Sequence, residues 1–303
     1  MKIAVVGSYG VGLTMFTPRM PHAGETLTGG RFLTSHGGKG SNQAIGAARL
    51  GASVALLTAI GADSHGDAAR RLWRDEGIDA SAVKVVDAPT MVGVILVEGS
   101  GENRIIIAPG ALEELSVADV EAFRPQLAAA DVAIVSLEIP LSTALAALRV
   151  ASEEGTTTML NPAPAVPLPA EAWQYVDIVT PNATEAPVIL GEAIAPAEPA
   201  ALAGLLHQRT GAAVVLTLGG QGAVISDSGG TIRVPAAQAA AVIDTTGAGD
   251  AFTAALAVAV ARGLPLAECV NVAAAAGAHA VAVSGVIDAL PSLADLRAAG
   301  VHW

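Results

Sequence analysis

This chain is short of several things, and each shortage removes a class of function. It has one cysteine, Cys269, which excludes an intrachain disulfide framework and a multi-cysteine zinc site and fits a reducing compartment. Basic residues are scarce: 16 Lys and Arg stand against 28 Asp and Glu, a formal charge of −12, so neither nucleic acid nor an anionic membrane is an expected partner. The apolar runs 251–261 and 272–283 are alanine-rich and fall short of the roughly 20 residues that a bilayer span needs. They read as core helices. Histidines at 22, 36, 65, 207 and 279 show no metal-ligand spacing. There is no internal repeat and no low-complexity linker beyond the proline-rich loop 161–169. Nor does a secretory leader show: residues 1–6 read as a first buried strand, because Gly7, Gly10 and Gly12 interrupt any signal-peptide apolar region. The expectation is a cytoplasmic protein that acts on a small ligand.

What is present is an α/β pattern. At 303 residues the chain can bury a full core. Short β-branched runs at 2–6, 53–59, 132–137, 156–160, 176–179 and 213–218 alternate with helical patterns at 41–50, 64–76, 141–154, 197–210, 251–262 and 266–282. That alternation predicts a mainly parallel sheet with helices on both faces. Residues 10–36 and 90–108 have a different texture: Thr90-Met-Val-Gly-Val-Ile-Leu-Val97 and Arg104-Ile-Ile-Ile107 flank a turn at 98–103, which is hairpin pattern. Strands inserted there should form a small β-sheet beside the main layer, placed to act as a lid. Residues 1–303 are therefore expected to form one domain, with lid segments about 10–36 and 90–108 inserted into its core.

The densest chemical signal is Asp244-Thr-Thr-Gly247-Ala248-Gly249-Asp250-Ala-Phe252, a glycine-rich turn running into the alanine-rich segment 251–262. A helix that begins at such a turn presents unpartnered N–H groups and the positive end of its dipole, so it attracts anions, and glycines let the backbone approach a phosphate. Asp250 adds a negative charge beside a pocket built for negative charge. A carboxylate there makes sense as a proton acceptor, and the combination points to phosphoryl transfer to a hydroxyl. The plainer alternative is a glycine turn capped by Asp before a core helix.

In open α/β sheets ligands bind beyond the carboxyl ends of the strands. Glu138, Asn161, Asn182, Glu185, Thr217, Gly219 and Gly220 each follow a predicted strand, and together they outline one crevice. Asn161 and Asn182, both beside proline, also suit capping or turn roles. Asn182-x-x-Glu185 could hold Mg²⁺ through waters beside a nucleotide phosphate, and a capping box has the same spacing. The loop His36-Gly37-Gly38-Lys39-Gly40-Ser41-Asn42-Gln43 opens another helix. It is not a Walker A loop, because Gly40 separates Lys39 from Ser41, and it suits polar substrate hydroxyls better than a triphosphate. Lys39 is read as a binding residue rather than a solvated one, with Asn42 carried along by proximity. Gly7-x-x-Gly10-x-Gly12 raises a dinucleotide-binding dehydrogenase as a rival, but Pro18 and Pro21 follow where that fingerprint needs a helix.

Gly-Gly-Lys-Gly-Ser-Asn-Gln-Ala at 37–44 and Asp-Thr-Thr-Gly-Ala-Gly-Asp-Ala-Phe at 244–252 resemble the two signatures of the ribokinase-like carbohydrate kinases, the PfkB family. Gly24-Glu-Thr, Asn161-Pro-Ala-Pro, Thr180-Pro-Asn-Ala-Thr-Glu185 and Leu218-Gly-Gly-Gln-Gly222 follow in family order, from the first strand to about Pro291. The resemblance implies a three-layer α/β sandwich with a β-sheet lid, ATP as donor, Mg²⁺, and in many members a monovalent cation such as K⁺. It makes Asp250 the base and the N–H groups of Gly247, Ala248 and Gly249 the anion hole. Asn182 and Glu185 match the Mg²⁺ and phosphate pair, and Thr217, Gly219 and Gly222 the nucleotide loop. Asp244, with the backbone near Ser284 and Gly285, matches the monovalent-cation site. Gly38, Lys39, Asn42 and Glu138 match sugar-contacting positions. Pairing of the lids of two copies is a further expectation.

Two departures bear on the acceptor. Where such sequences usually read Gly-Ser-x-Asn-x-Asp, this chain has Gly7-Ser8-Tyr9-Gly10-Val11-Gly12. Losing a buried charge-assisted pair is worth about 1.5–3 kcal/mol, so an acceptor other than ribose is expected. Space vacated at Gly10 and Gly12 should admit a bulkier or differently hydroxylated molecule, with Tyr9, His36 or Asn103 supplying contacts. Pro109-Gly-Ala-Leu112 also departs, since ribokinases commonly place an asparagine after Gly-Ala. The expectation is a kinase for a hydroxyl of a small sugar or sugar derivative. A nucleoside kinase and an inactive sugar- or nucleotide-binding regulator are the alternatives.

Overall fold

A computed structural model describes residues 1–100, 102–191 and 198–301. Its central sheet has eight strands in the order Gly230–Val234, Ala223–Asp227, Ala213–Thr217, Ile178–Val179, Thr157–Asn161, Val132–Ser136, Lys2–Val6 and Ser53–Leu57. From Ala213–Thr217 to Ser53–Leu57 every pairing is parallel. Val132–Ser136 is buried along its whole length, which is why its sequence is a continuous apolar run and not an alternation. Successive residues feed opposite layers: Ile3 and Val5 join one core and Ala4 and Val6 the other.

The last two strands at one edge were not expected. Ala223–Asp227 and Gly230–Val234 form an antiparallel hairpin, closed by the Gly229 N–H donating to Asp227 Oδ1 at 2.7 Å and by Gly230 at φ 115°. The run Asp227-Ser-Gly-Gly230 is the turn signal, hidden because the strands around it are short and one is largely exposed. The helix of the glycine motif begins at Ala248 and not at 251, with Gly247 as its cap at φ 79°. That puts Asp250 inside the first turn. The expected helix 197–210 spans Pro199–Thr210, with residue 197 outside the described residues, as is Gly101 of the expected 98–103 turn.

Small residues decide how the helices meet. A Cβ on Gly46 would stand 2.8 Å from the Ala254 Cβ, so helix Lys39–Arg49 lies hard against helix Ala248–Ala261. One turn earlier on each helix are Asn42 and Asp250. At the other end of this contact a Cβ on Gly40 would fall 2.6 Å from the Gly7 carbonyl carbon, and the Ser41 N–H donates to Ser8 O at 2.8 Å. The glycines thus plant the helix start on the end of strand Lys2–Val6.

The expected second sheet is present. It has four strands in the order Arg31–Gly37, Gly10–Thr17, Val92–Glu98 and Asn103–Ala108. The outer pairings are antiparallel and the central one parallel. Its root is packed, with Val11 at 3 % exposure, while Ile106 near its edge is at 71 %.

Candidate active site

Asp250 stands at the carboxyl ends of the central strands with 7 % of its surface exposed. Asn42 Nδ2 donates to its Oδ2 at 2.8 Å and Gln43 Nε2 to its Oδ1 at 3.0 Å. Gln43 Nε2 also donates to Asn161 Oδ1 at 3.2 Å, and Asn161 Nδ2 donates to the Thr180 carbonyl at 3.3 Å. Burial raises the Asp250 pKa above the ordinary carboxylate value. The charge of Lys39 and the two amide donors oppose that rise, and the Glu138 charge adds to it. A buried carboxylate held this way stays a competent proton acceptor while being easier to protonate than a solvated one.

Lys39 lies between three carboxylates. Burial works to lower its pKa, but the charges of Asp250, Glu138 and Glu185 outweigh burial and hold the ammonium above its usual value. The Lys39 N–H donates to Glu138 Oε2 at 2.9 Å, and the Ser8 hydroxyl donates to the same oxygen. Gly38 sits at φ 92°, and a Cβ there would meet Tyr9 Cα at 2.5 Å. Only glycine lets this loop lie against the first strand's exit.

Two adjoining cavities open here. One of about 240 Å³ is lined by Lys39, Asn161, Asn182, Glu185, Gly247 and Asp250 among others. The second, about 560 Å³, is walled mostly by apolar groups, including Ala237, Val242, Phe252, Ala274 and Val281, with Gly219 and Gly222 at its rim. Thr217, Thr245 and Gly249 border both. A Cβ on Gly249, Gly219 or Gly220 would touch no protein atom within 4 Å. Their missing side chains leave room for a ligand and not for packing. Gly247 and Gly249 face the small cavity while Ala248 borders the large one, and the Ala248 N–H turns back to Thr245 O at 3.3 Å.

The Asn182–Glu185 pair is a reciprocal cap. Asn182 Oδ1 accepts from the N–H groups of Thr184 and Glu185, and Glu185 Oε2 accepts from the Asn182 N–H, all at 2.8 Å. Both residues nonetheless line the small cavity, so capping fixes them there. Burial raises the Glu185 pKa against the opposing Asn182 bond and Lys39 charge. Asp244 accepts from the N–H groups of Thr246 at 2.9 Å and Gly285 at 3.1 Å. The loop match to Gly285 is thus a physical contact.

The expected space at Gly10 and Gly12 is filled. A Cβ on Gly10 would lie 2.2 Å from Met91 Cε, and one on Gly12 would lie 2.8 Å from Ser35 Oγ. The Met91 methyl, just before strand Val92–Glu98, and the Ser35 hydroxyl occupy the volume that the expectation left open. Tyr9 is fully buried edge-on against Trp73, and its hydroxyl is 2.8 Å from His36 Nδ1. The Tyr9 hydroxyl is thus committed within the protein, and His36 keeps only Nε2 for a contact. Asn103 pairs with Val97, at the opposite end of the lid strands from Gly10. Four residues that sequence reasoning passed over matter here: Gln43, Thr180, Ser35 and Met91. Ser41-Asn42-Gln43 offered a signal, being a polar run at the start of an otherwise apolar helix. Met91 and Ser35 offered none, since their roles depend on the pairing of distant strands.

A mainly parallel sheet with a lid, and a buried carboxylate beside a glycine-opened helix at its carboxyl edge, define an alcohol-accepting phosphotransferase. The chain belongs to the PfkB carbohydrate kinases: the family described as "pfkB family carbohydrate kinase" matches residues 1–293. It is an ATP-dependent carbohydrate kinase. It is 36 % identical over 292 residues to a ribokinase of Haemophilus influenzae, covering 96 % of this chain and 95 % of the relative. A ribokinase of Schizosaccharomyces pombe is 34 % identical over 307 residues, with 98 % and 96 % covered. Arabidopsis thaliana ribokinase complexed with ribose and ATP superimposes with a TM-score of 0.89 at 30 % identity, over 98 % of each chain.

Proposed function

We propose that this kinase transfers the terminal phosphoryl group of ATP to a hydroxyl, a primary one, of a small sugar or sugar derivative other than ribose. The observation that carries the reading is Asp250, a buried and doubly hydrogen-bonded carboxylate that lines the polar cavity, next to Gly249, which borders the apolar cavity as well. Asp250 takes the acceptor proton. The N–H groups of Gly247 and Gly249, at the positive end of their helix, stabilise the charge on the phosphoryl oxygens, whereas the expected third donor, the Ala248 N–H, is taken up by Thr245 O. Lys39 neutralises charge on the same side, and Glu138, fixed by Ser8 and the Lys39 N–H, orients the acceptor with Gly38 and Asn42. Positioning and electrostatics carry most of phosphoryl transfer.

The apolar cavity suits a purine, and the empty Cβ positions of Gly219, Gly220 and Gly249 suit phosphate approach. Mg²⁺, when bound, would neutralise phosphate charge. Among the described residues no group of three or more His, Cys, Asp or Glu could hold a metal, which fits an ion carried by the nucleotide and held by one carboxylate, Glu185, through water. Asp244 offers oxygen ligands suited to K⁺. Exposed Phe32, Ile105, Ile106 and Ile107 support pairing of the lid with that of a second copy. A cytoplasmic location and the absence of a nucleic-acid partner accord with the charge of −12 and lone cysteine. Among the described residues no helix is long and apolar enough to cross a membrane.

On the acceptor two observations diverge. The names of the relatives favour ribose, whereas Gly10 and Gly12 bring no polar side chain and a Met91 methyl stands beside Gly10. An apolar methyl gives a buried hydroxyl no partner, and this second observation concerns the chain's own residues. The test is ADP release from Mg·ATP across pentoses, deoxy sugars, hexoses, sugar alcohols, sugar acids and nucleosides, with Asp250→Asn beside the unaltered protein. Turnover with one sugar class that vanishes in the variant establishes the reading. A strong preference for ribose refutes its last element.

A further inference from the structure

The two amides on Asp250 are not equivalent. Thr180 meets Asn161 with a backbone carbonyl, which can only accept, so Asn161 must present Nδ2 there and Oδ1 to Gln43. The Thr180 hydroxyl donates to Leu160 O at 3.3 Å and accepts from the same Asn161 Nδ2 at 3.4 Å, which reinforces that orientation. Gln43 must then present Nε2 to Asn161 and Asp250 together, and turning its amide over would lose two hydrogen bonds at once. Gln43 is completely buried, and its Oε1 has no hydrogen-bond partner in the protein. Asn42 is held by nothing comparable. Its Oδ1 is likewise unpartnered, so its amide can turn over and accept where it now donates, with no other hydrogen bond lost.

We propose that Gln43 is the positioning residue of the base, fixed as a donor through Asn161 and Thr180, so that Asp250 takes the acceptor proton on Oδ2. This rests on the reading of Asp250 as base. In the step, the acceptor O–H bond breaks and its proton forms an O–H bond on Oδ2. The acceptor oxygen's electron pair forms the bond to phosphorus, and the bond between phosphorus and the departing ADP oxygen breaks. Nothing is oxidised or reduced. Oδ1 keeps the Gln43 N–H throughout, and Asn42 turns to accept from the new Oδ2–H. The charged groups facing Asp250 are Lys39, from the helix that carries Gln43, and Glu138, from the exit of strand Val132–Ser136.

The test compares Gln43→Met, which keeps the shape and removes the donor, with Asn161→Leu, which frees Gln43 to turn. In Gln43→Met, kcat falls about tenfold or more, as expected for a lost bond to a charged group. The acid limb of its pH profile moves up by about one unit, while KM for ATP stays within about twofold. Asn161→Leu gives a smaller shift of the same sign. A reduced kcat with an unmoved acid limb would assign Gln43 to packing alone and overturn the proposal, as would an unchanged kcat. The titration can also be read without an acceptor, as the difference in Tm against pH between each protein and its Asp250→Asn counterpart. If the unaltered protein turned over no acceptor, the kinase reading would fail, and the Tm series would still decide whether Gln43 and Asn161 set the Asp250 titration.

Discussion

The catalytic floor and the lid root are built on opposite terms. Around Asp250 the contacts join distant stretches of chain: Asn42 and Gln43 of one helix bond to Asp250 of another, and Asn161 at a strand end bonds to Gln43. The side chains there are buried and committed to polar partners. In the lid, side chains pack on strand neighbours at the root and stand open further out, so that Ile105 and Ile107 are each 55 % exposed. A change in one residue of the floor therefore disturbs several elements at once, whereas at the lid root a neighbouring side chain fills the place of a missing one, as Met91 does beside Gly10 and Ser35 beside Gly12.

The sharpest contrast should come from Asp250→Asn. A general base contributes about 10²–10⁴-fold, so kcat should fall by that order while ATP affinity measured by calorimetry stays near normal. The same substitution should stabilise the fold. Burial raises the folded-state pKa of Asp250, so the stability linked to its proton is fully present below the ordinary carboxylate value and lost as pH rises through the raised one. At pH 8 the variant should therefore melt above the unaltered protein, with the gap closing toward pH 4. A variant that melted lower at pH 8 would contradict the raised folded-state pKa of Asp250.

Next in size is Gly46→Val, which forces side-chain carbons into Ala254 and lifts helix Lys39–Arg49 from its partner. Overpacking of this kind costs about 1–3 kcal/mol, and urea melts should show it together with a fall in kcat, because Asn42 and Gln43 move with the helix. Gly10→Asn tests the lid root. Alone it should cost about 1–3 kcal/mol by collision with Met91, and Met91→Ala should recover most of that loss. Additive losses would mean that the two positions do not share a volume. The smallest effect is expected from Ile106→Glu, within about 0.5 kcal/mol in stability. If lids pair, light scattering should show a shift toward monomer.

The same contrast explains what could be read in advance. The parallel strands were legible because burial on both faces demands unbroken apolar runs such as Val132-Ala-Ile-Val-Ser136. Asp250 was legible because its glycine turn is contiguous. The Ala223–Val234 hairpin escaped because its strands are short and one is largely exposed, and the lid root was misread because an absent side chain was taken for an empty volume. Gln43 was visible in the helix-opening loop, but its partner lies 207 residues away.

By itself the sequence determined the class of sheet, the lid insertions, the glycine-opened helix and the carboxylate at its start, since each follows from periodicity or from neighbours within one turn. Only the tertiary structure decided that Met91 and Ser35 fill the places left by Gly10 and Gly12, and that Gln43 is oriented through Asn161 by a carbonyl at Thr180. These depend on contacts between distant segments, where the direction of a hydrogen bond or the reach of a methyl group is set by packing and by nothing local.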